Sequence, residues 1–315
     1  MNKIERMRAV LAGEIADRVP ASFWFHFPQA QAHGEESVKA HLNYYRQADL
    51  DFLKIMNEHP YQVETRIKNP IDWRKLKPAP LSSDFYQAQL DEIKMIADQL
   101  GGDCLTATTI FNPFSSGNHA SNRLVTEHLK EDPESVNIGL ATIAESLAEF
   151  ALACLEAGAD GIYFSAQGGE ADRFEEQAFL EFIKPHDLTV LNAINGKGEL
   201  NIVHICRDNV RLHLYCNYPG SVFNWAVTAP SNLSLKSGRK LFNRTVLGGL
   251  DNRGVIVDGS PKKIEAAVHQ IIRTVGPRNL ILGADCTLPT EINIDHIQAA
   301  IEATATFPMD EFSVS

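Results

Sequence analysis

The feature that most constrains this chain is an alternation carried from one end to the other: short apolar runs separated by longer stretches with helical spacing. Apolar run, amphipathic segment, apolar run is the signature of parallel βα units. Eight runs have strand character, over 19–27, 51–56, 104–110, 161–165, 201–206, 222–225, 245–249 and 280–285. Helical patterns lie between them, among them 135–157 and 261–275, with Ser260 as N-cap and Pro261 at the first position, and a last one over 294–304. A length of 315 residues fits two domains or one α/β barrel. No linker, low-complexity tract or short repeat divides the chain, so the expectation is a single (β/α)8 TIM barrel spanning 1–315 rather than a doubly wound sheet.

Charge and cysteine content narrow the function. A net charge of −11 argues against a nucleic-acid partner, which needs a basic stripe. There is no uninterrupted apolar run of eighteen residues, and the N-terminus Met-Asn-Lys-Ile-Glu-Arg-Met-Arg lacks a signal-peptide core, so no membrane partner and a cytoplasmic location are expected. Five scattered cysteines do not form a disulfide framework. Cys104 and Cys154 read as buried small residues, and Cys216 sits in a stretch read as helix or loop.

Two other cysteines carry chemistry. His204-Ile205-Cys206 ends one apolar run and Cys286 ends another, eighty residues later. Alternation along a strand puts Ile202, His204 and Cys206 on one face and Val203 and Ile205 on the other. Residues two apart rise by roughly 6.6 Å along the strand, within reach of a shared metal. Three protein ligands with one open position is the arrangement of a working zinc, whereas a structural zinc takes four. The plainer alternative is a pair of core thiols and a hydrogen-bonded core histidine.

In a barrel, strand C-terminal ends build the site. His204, Cys206 and Cys286 fall there, and the same face receives His26, Asn57, Glu58, Asn112, Ser165, Gln167, Asn224, Asp251 and Asn252. Asp251 and Asn252 also suit a turn before Gly254. Trp24, Phe25, Phe111, Phe114 and Trp225 lie near strand ends as either core or pocket lining. Candidate substrate or cofactor contacts are Trp24, Asn57, Asn112, Gln167 and Asn224.

Gly13-Glu14-Ile15-Ala16-Asp17-Arg18-Val19-Pro20, Gly248-Gly249-Leu250-Asp251 and Gly259-Ser260-Pro261 resemble the uroporphyrinogen decarboxylase family over nearly the whole chain. Within it, His204-x-Cys206 with Cys286 resembles the zinc motif of the methyltransferase branch, typified by methylcobalamin:coenzyme M methyltransferases. That resemblance implies Zn2+ at these positions, a small-molecule thiol as acceptor, and methylcobalamin or a methyl-corrinoid protein as donor. The arginine-rich segment with which the decarboxylases grip substrate carboxylates is replaced by Phe23-Trp24-Phe25-His26-Phe27-Pro28.

Zinc held by one histidine and two thiolates is neutral, which suits binding a thiol as thiolate for attack on an alkyl group. Glu58, His26 and Asp285 are candidate acceptors of the thiol proton. No Asp-x-His-x-x-Gly cobalamin element occurs, nor a phosphate loop or a Gly-x-Ser-x-Gly elbow, so the methyl donor is expected from outside the chain. The alternatives are uroporphyrinogen decarboxylation, and zinc or tetrapyrrole binding without turnover.

Overall fold

A computed structural model describes residues 1–312. Seven parallel strands follow one another around the sheet in chain order: β1 Phe52–Ile55, β2 Leu105–Phe111, β3 Ile162–Ala166, β4 Ile202–Ile205, β5 Val222–Trp225, β6 Thr245–Leu250 and β7 Leu280–Ala284. Every neighbouring pair is parallel, the layout of a (β/α)8-type barrel. The helices Pro261–Val275 and Ile294–Thr306 stand where the spacing places them.

The first expected strand, 19–27, is a correction. It forms only isolated parallel bridges, Ala21 with Leu282 and Phe25 with Leu288. The segment nonetheless fills the eighth wall. Ser22 N donates to Leu282 O at 3.0 Å and Leu282 N to Pro20 O at 2.8 Å on one side, and Asp51 N donates to Ala21 O at 3.0 Å on the other. Regular pairing with β1 is replaced by side chains: the Ser22 hydroxyl donates to Phe52 O, and the Tyr44 hydroxyl to Phe23 O.

One buried carboxylate anchors this closure. Asp51, fully buried just before β1, accepts Arg6 Nη1 at 2.6 Å, Arg18 Nη1 at 2.7 Å and Nη2 at 3.0 Å, and the Ala21 amide at 2.7 Å. Arg6 also pairs with Asp17 through Nε at 2.8 Å and Nη2 at 2.9 Å. The N-terminal helix Lys3–Leu11, the irregular wall and β1 are thereby fixed to one another.

Strand alternation sorts the core into two. Phe52, Leu105, Ala107, Tyr163, Ile202, Val222, Leu247 and Ile281 belong to a cluster inside the barrel with Trp24, while Leu53, Ile55, Phe164, Val203, Ile205, Phe223 and Leu282 join the layer beneath the helices. The helix Pro133–Glu156 is apolar and long enough to cross a membrane, but it is a packing helix here, half of it buried against protein. Its Gly139 lies so close to Trp73 that an added Cβ would meet the indole at 2.7 Å.

Replacing Asp51 with alanine leaves two guanidinium groups without their buried partner, so we expect a loss of about 3–5 kcal/mol. Urea unfolding of Asp51→Ala against wild type measures it; a loss under about 1 kcal/mol would mean that the closure does not depend on this carboxylate.

Candidate metal centre at the barrel mouth

The interior changes character toward the C-terminal ends of the strands. Below are Phe52, Leu105, Ile202 and Val222; above them Lys54, Thr109, Ser165 and His204 line a cavity of about 170 Å³ with His26, Met56, Asn57, Phe111, Tyr163, Gln167, Cys206, Cys286 and Thr287. A larger hollow of about 470 Å³, lined by Asn195, Gly198, Asn201 and Arg244, opens near the strand N-terminal ends, the face associated with stability rather than catalysis.

His204 at the end of β4, Cys206 just beyond it, and Cys286 two residues past β7 meet in this cavity, their ligand atoms all within 4.8 Å of one another. Cys286 Sγ lies 3.6 Å from His204 Nε2. Tetrahedral zinc with Zn–N and Zn–S bonds of about 2.0–2.1 and 2.3 Å separates nitrogen from sulfur by about 3.6 Å, so the donor set fits the ion in both geometry and chemistry. The Cys206 hydrogen bond draws the Cys286 thiol down against the opposing effect of burial, with help from His204, and the same contact together with burial pushes Cys206 up.

The imidazole is aimed by Asn224. Asn224 Nδ2 donates to Leu247 O at 2.9 Å and Ala284 O at 3.1 Å, which turns its Oδ1 toward His204 Nδ1 at 2.5 Å. His204 therefore carries its proton on Nδ1 and presents the Nε2 lone pair to the cavity. Tyr163 stacks on the ring at 5.3 Å between centroids. Beyond Cys206 the chain turns sharply, with Arg207 at φ 88°. Asn232 braces that turn, donating to Arg207 O and accepting from Val210 N. Strained backbone beside such ligands is characteristic of functional sites.

The other residues expected at this face divide. His26 and Glu58 pair at the mouth, Nδ1 to Oε1 2.5 Å; burial raises the Glu58 pKa, but the histidine's hydrogen bond and charge outweigh it and hold the carboxylate below its usual range. Gln167 lines the cavity, as does Asn57, whose amide already donates to Thr109 O and accepts from His59 N. Asn112 is committed elsewhere: its side chain donates to Gln167 O and Asp187 Oδ1 and caps the helix Pro113–Ala120 through Ser115 N. Asp285 turns to Thr228, whose amide and hydroxyl both donate to Oδ2, and burial lifts its pKa to about 6. Asp251 and Asn252 make turn and loop bonds, Asp251 accepting from Arg253 N and Asn252 donating to Thr287 O.

Among the aromatics, Phe111 reaches the cavity and Trp24 lies inside the barrel beneath it. Phe25 packs on Phe27 and Tyr44, Phe114 on Phe174, and Trp225 faces outward onto Phe242. Cys216 contacts Leu241 O, apart from the three ligands. A second group, His33, His59 and Glu92, also brings its ligand atoms within 4.8 Å. Its carboxylate already accepts Gly34 N, the Ser37 hydroxyl and His59 Nε2.

Sequence reasoning passed over Lys54 and Tyr163. Lys54 had a signal: a lysine in the middle of an otherwise apolar strand, Phe52-Leu53-Lys54-Ile55-Met56, has its ammonium inside the barrel.

A parallel α/β barrel with a soft three-ligand set at its C-terminal mouth defines a class of metal-competent barrel proteins. Within it, this chain belongs to the uroporphyrinogen decarboxylase family, whose profile, Uroporphyrinogen decarboxylase (URO-D), matches residues 50–307. It is 20% identical over 254 residues, 80% of this chain and 73% of the relative, to the methylcobamide:CoM methyltransferase MtbA of Methanosarcina mazei. A solved methyltransferase from Methanosarcina mazei superposes with a TM-score of 0.77 at 17% identity, covering 99% of both chains. A B12-independent methionine synthase from Shewanella sp. W3-18-1 superposes at 0.60 and 14% identity, covering 91% of this chain and 97% of that one. These likenesses show a shared fold.

Because Asn224 fixes the imidazole, Asn224→Leu should weaken zinc binding by roughly 10–100-fold with the three ligands intact. Competition against a chromophoric chelator reads this directly. Unchanged affinity would show that the ring needs no such support.

Proposed function

We propose that this chain is a zinc-dependent methyltransferase that alkylates a small-molecule thiol. The observation that carries the reading is the convergence of His204, Cys206 and Cys286 on one point of a small cavity. The methylcobamide:CoM methyltransferase named among its relatives supports it. Zinc bound there would supply an open position at which a thiol is held as its nucleophilic thiolate. Asn224 and Tyr163 hold the imidazole in place, and Ser165, Gln167 and Asn57 offer polar groups for orienting the acceptor. Methylcobalamin, or a methyl-corrinoid protein, approaches from the open mouth past His26 and Glu58.

The cavity also weighs against the decarboxylase reaction. About 170 Å³ is below the roughly 300–1,000 Å³ of pockets for drug-sized ligands, and a porphyrinogen is larger still. No arginine is among the residues lining it, whereas buried carboxylates call for cationic partners.

Protein as isolated should hold close to one zinc per chain, and Cys206→Ser or Cys286→Ser should lower occupancy sharply, because hydroxyl is a far poorer zinc ligand than thiolate. Metal analysis of the three proteins, with a methyl-transfer assay from methylcobalamin to a panel of small thiols, tests the proposal. Full zinc retention by both variants would overturn the ligand assignment, and uroporphyrinogen turnover by metal-free protein would install the decarboxylase reading.

A further inference from the structure

Lys54 presents a problem that the metal ligands alone do not solve. It projects from β1 into the barrel and is 3% exposed. A buried ammonium normally has an anionic partner, because desolvating a bare charge is costly. Among the described residues no carboxylate is recorded in an ion pair with it. Its Nζ lies 3.0 Å from the Met56 thioether, a weak acceptor, and over the rings of Tyr163 at 4.4 Å and Trp24 at 5.4 Å. It opens onto the cavity that holds His204, Cys206 and Cys286.

The charged and titratable groups around it come from several elements. Cys286 beyond β7 and Glu58 beyond β1 favour the ammonium through their negative charge. His41, on the helix Gly34–Ala48, is pushed down to about 4, chiefly by burial, so it is a neutral neighbour. Tyr163 on β3 is kept a neutral phenol by burial, and its hydroxyl donates to Asn224 Oδ1. Burial is the largest influence on Lys54 itself and brings the amine down to about 7. Of the three groups that sequence offered for the acceptor's proton, Glu58 and His26 pair with each other, and Asp285, whose Oδ2 is held by Thr228 while its Oδ1 is buried without a partner, is not among the residues lining the cavity.

Resting on the thiol-alkylating reading, we propose that Lys54 Nζ takes the proton of the acceptor thiol and then remains as the counter-ion of the sulfur. The S–H bond breaks, an N–H bond forms, and the electron pair stays on sulfur. When that pair forms the bond to the methyl carbon, the methyl-corrinoid donor keeps the pair of the bond that breaks. The product thioether is neutral, so the ammonium again lacks a partner and returns its proton to solvent.

Proton counting tests this without reference to turnover. Titrating zinc-loaded protein with 2-mercaptoethanol in buffers of different ionisation enthalpy gives the protons released on binding. Below the amine's pKa Lys54 is already charged and the thiol proton goes to solution; above it the amine absorbs that proton. Wild type should therefore release about one proton at the acid end of a series from about pH 6 to about pH 9, and progressively fewer toward its alkaline end. Lys54→Met and Lys54→Arg should each release about one proton throughout, since neither side chain can accept it. The arginine variant keeps the cation, should keep thiol affinity that the methionine variant loses, and decides the matter alone should the methionine variant fail to fold. A pH-independent count in wild type, or a variant that reproduces the wild-type curve, overturns the role of Lys54 and leaves the function standing. Wild type that takes up no zinc or no thiol overturns the function and this inference with it.

Discussion

The barrel depends on a carboxylate that never touches the cavity. Asp51 accepts four donors from the N-terminal helix, the irregular wall and the segment joining them. Without it, the stretch from Pro20 to Phe25 has few bonds to hold it between β7 and β1, and its bridges to β7 are isolated ones. A buried charge that is fully paired adds little net stability, but breaking it is expensive, so such a cluster specifies arrangement more than it adds stability. The arrangement matters because that wall leads directly to His26 at the mouth and carries Trp24 beneath Lys54.

This gives the Asp17-Arg18-Val19-Pro20 stretch, one of the segments by which the chain resembles its family, a structural meaning. Arg18 clamps Asp51 with two nitrogens and Asp17 clamps Arg6. Neither lines the cavity. The motif marks how the barrel is shut, while the reaction is written in what the strands present at the other end. That division explains how a family can keep its fold signature while the basic grip of a decarboxylase is absent from 23–28 of this chain.

Much of the architecture was legible because parallel strands buried on both faces read as apolar runs. Seven of the eight expected strands appear within a residue or two of their expected bounds. The eighth, 19–27, reads as a strand by composition, but its pairing is taken over by Ser22, Tyr44 and Asp51, and side-chain hydrogen bonds to carbonyls leave no periodic trace. The convergence of His204 and Cys206 on one cavity was legible because they alternate along one strand and its end. Asp285 and Asn112 were not placed correctly by position alone: both follow strands, yet Thr228, in the loop after β5, and Asp187, on the helix Lys184–Ala193, engage their side chains. Lys54 was visible as an anomaly, but its meaning needed the ring faces of Tyr163 and Trp24, which arrive from distant parts of the chain.

Asn224 also joins quantities that are ordinarily separate. Its amide spans carbonyls of β6 and β7 while its oxygen steers a histidine on β4, so a single planar group reads the spacing of the strands on its far side. Any widening of the barrel between β6 and β7 would tilt that plane and swing the imidazole out of line with Cys286. The aperture of the mouth and the direction of the nitrogen lone pair are thus one mechanical coordinate. Any load on the rim would move the imidazole relative to the two thiols simply by altering the barrel's girth.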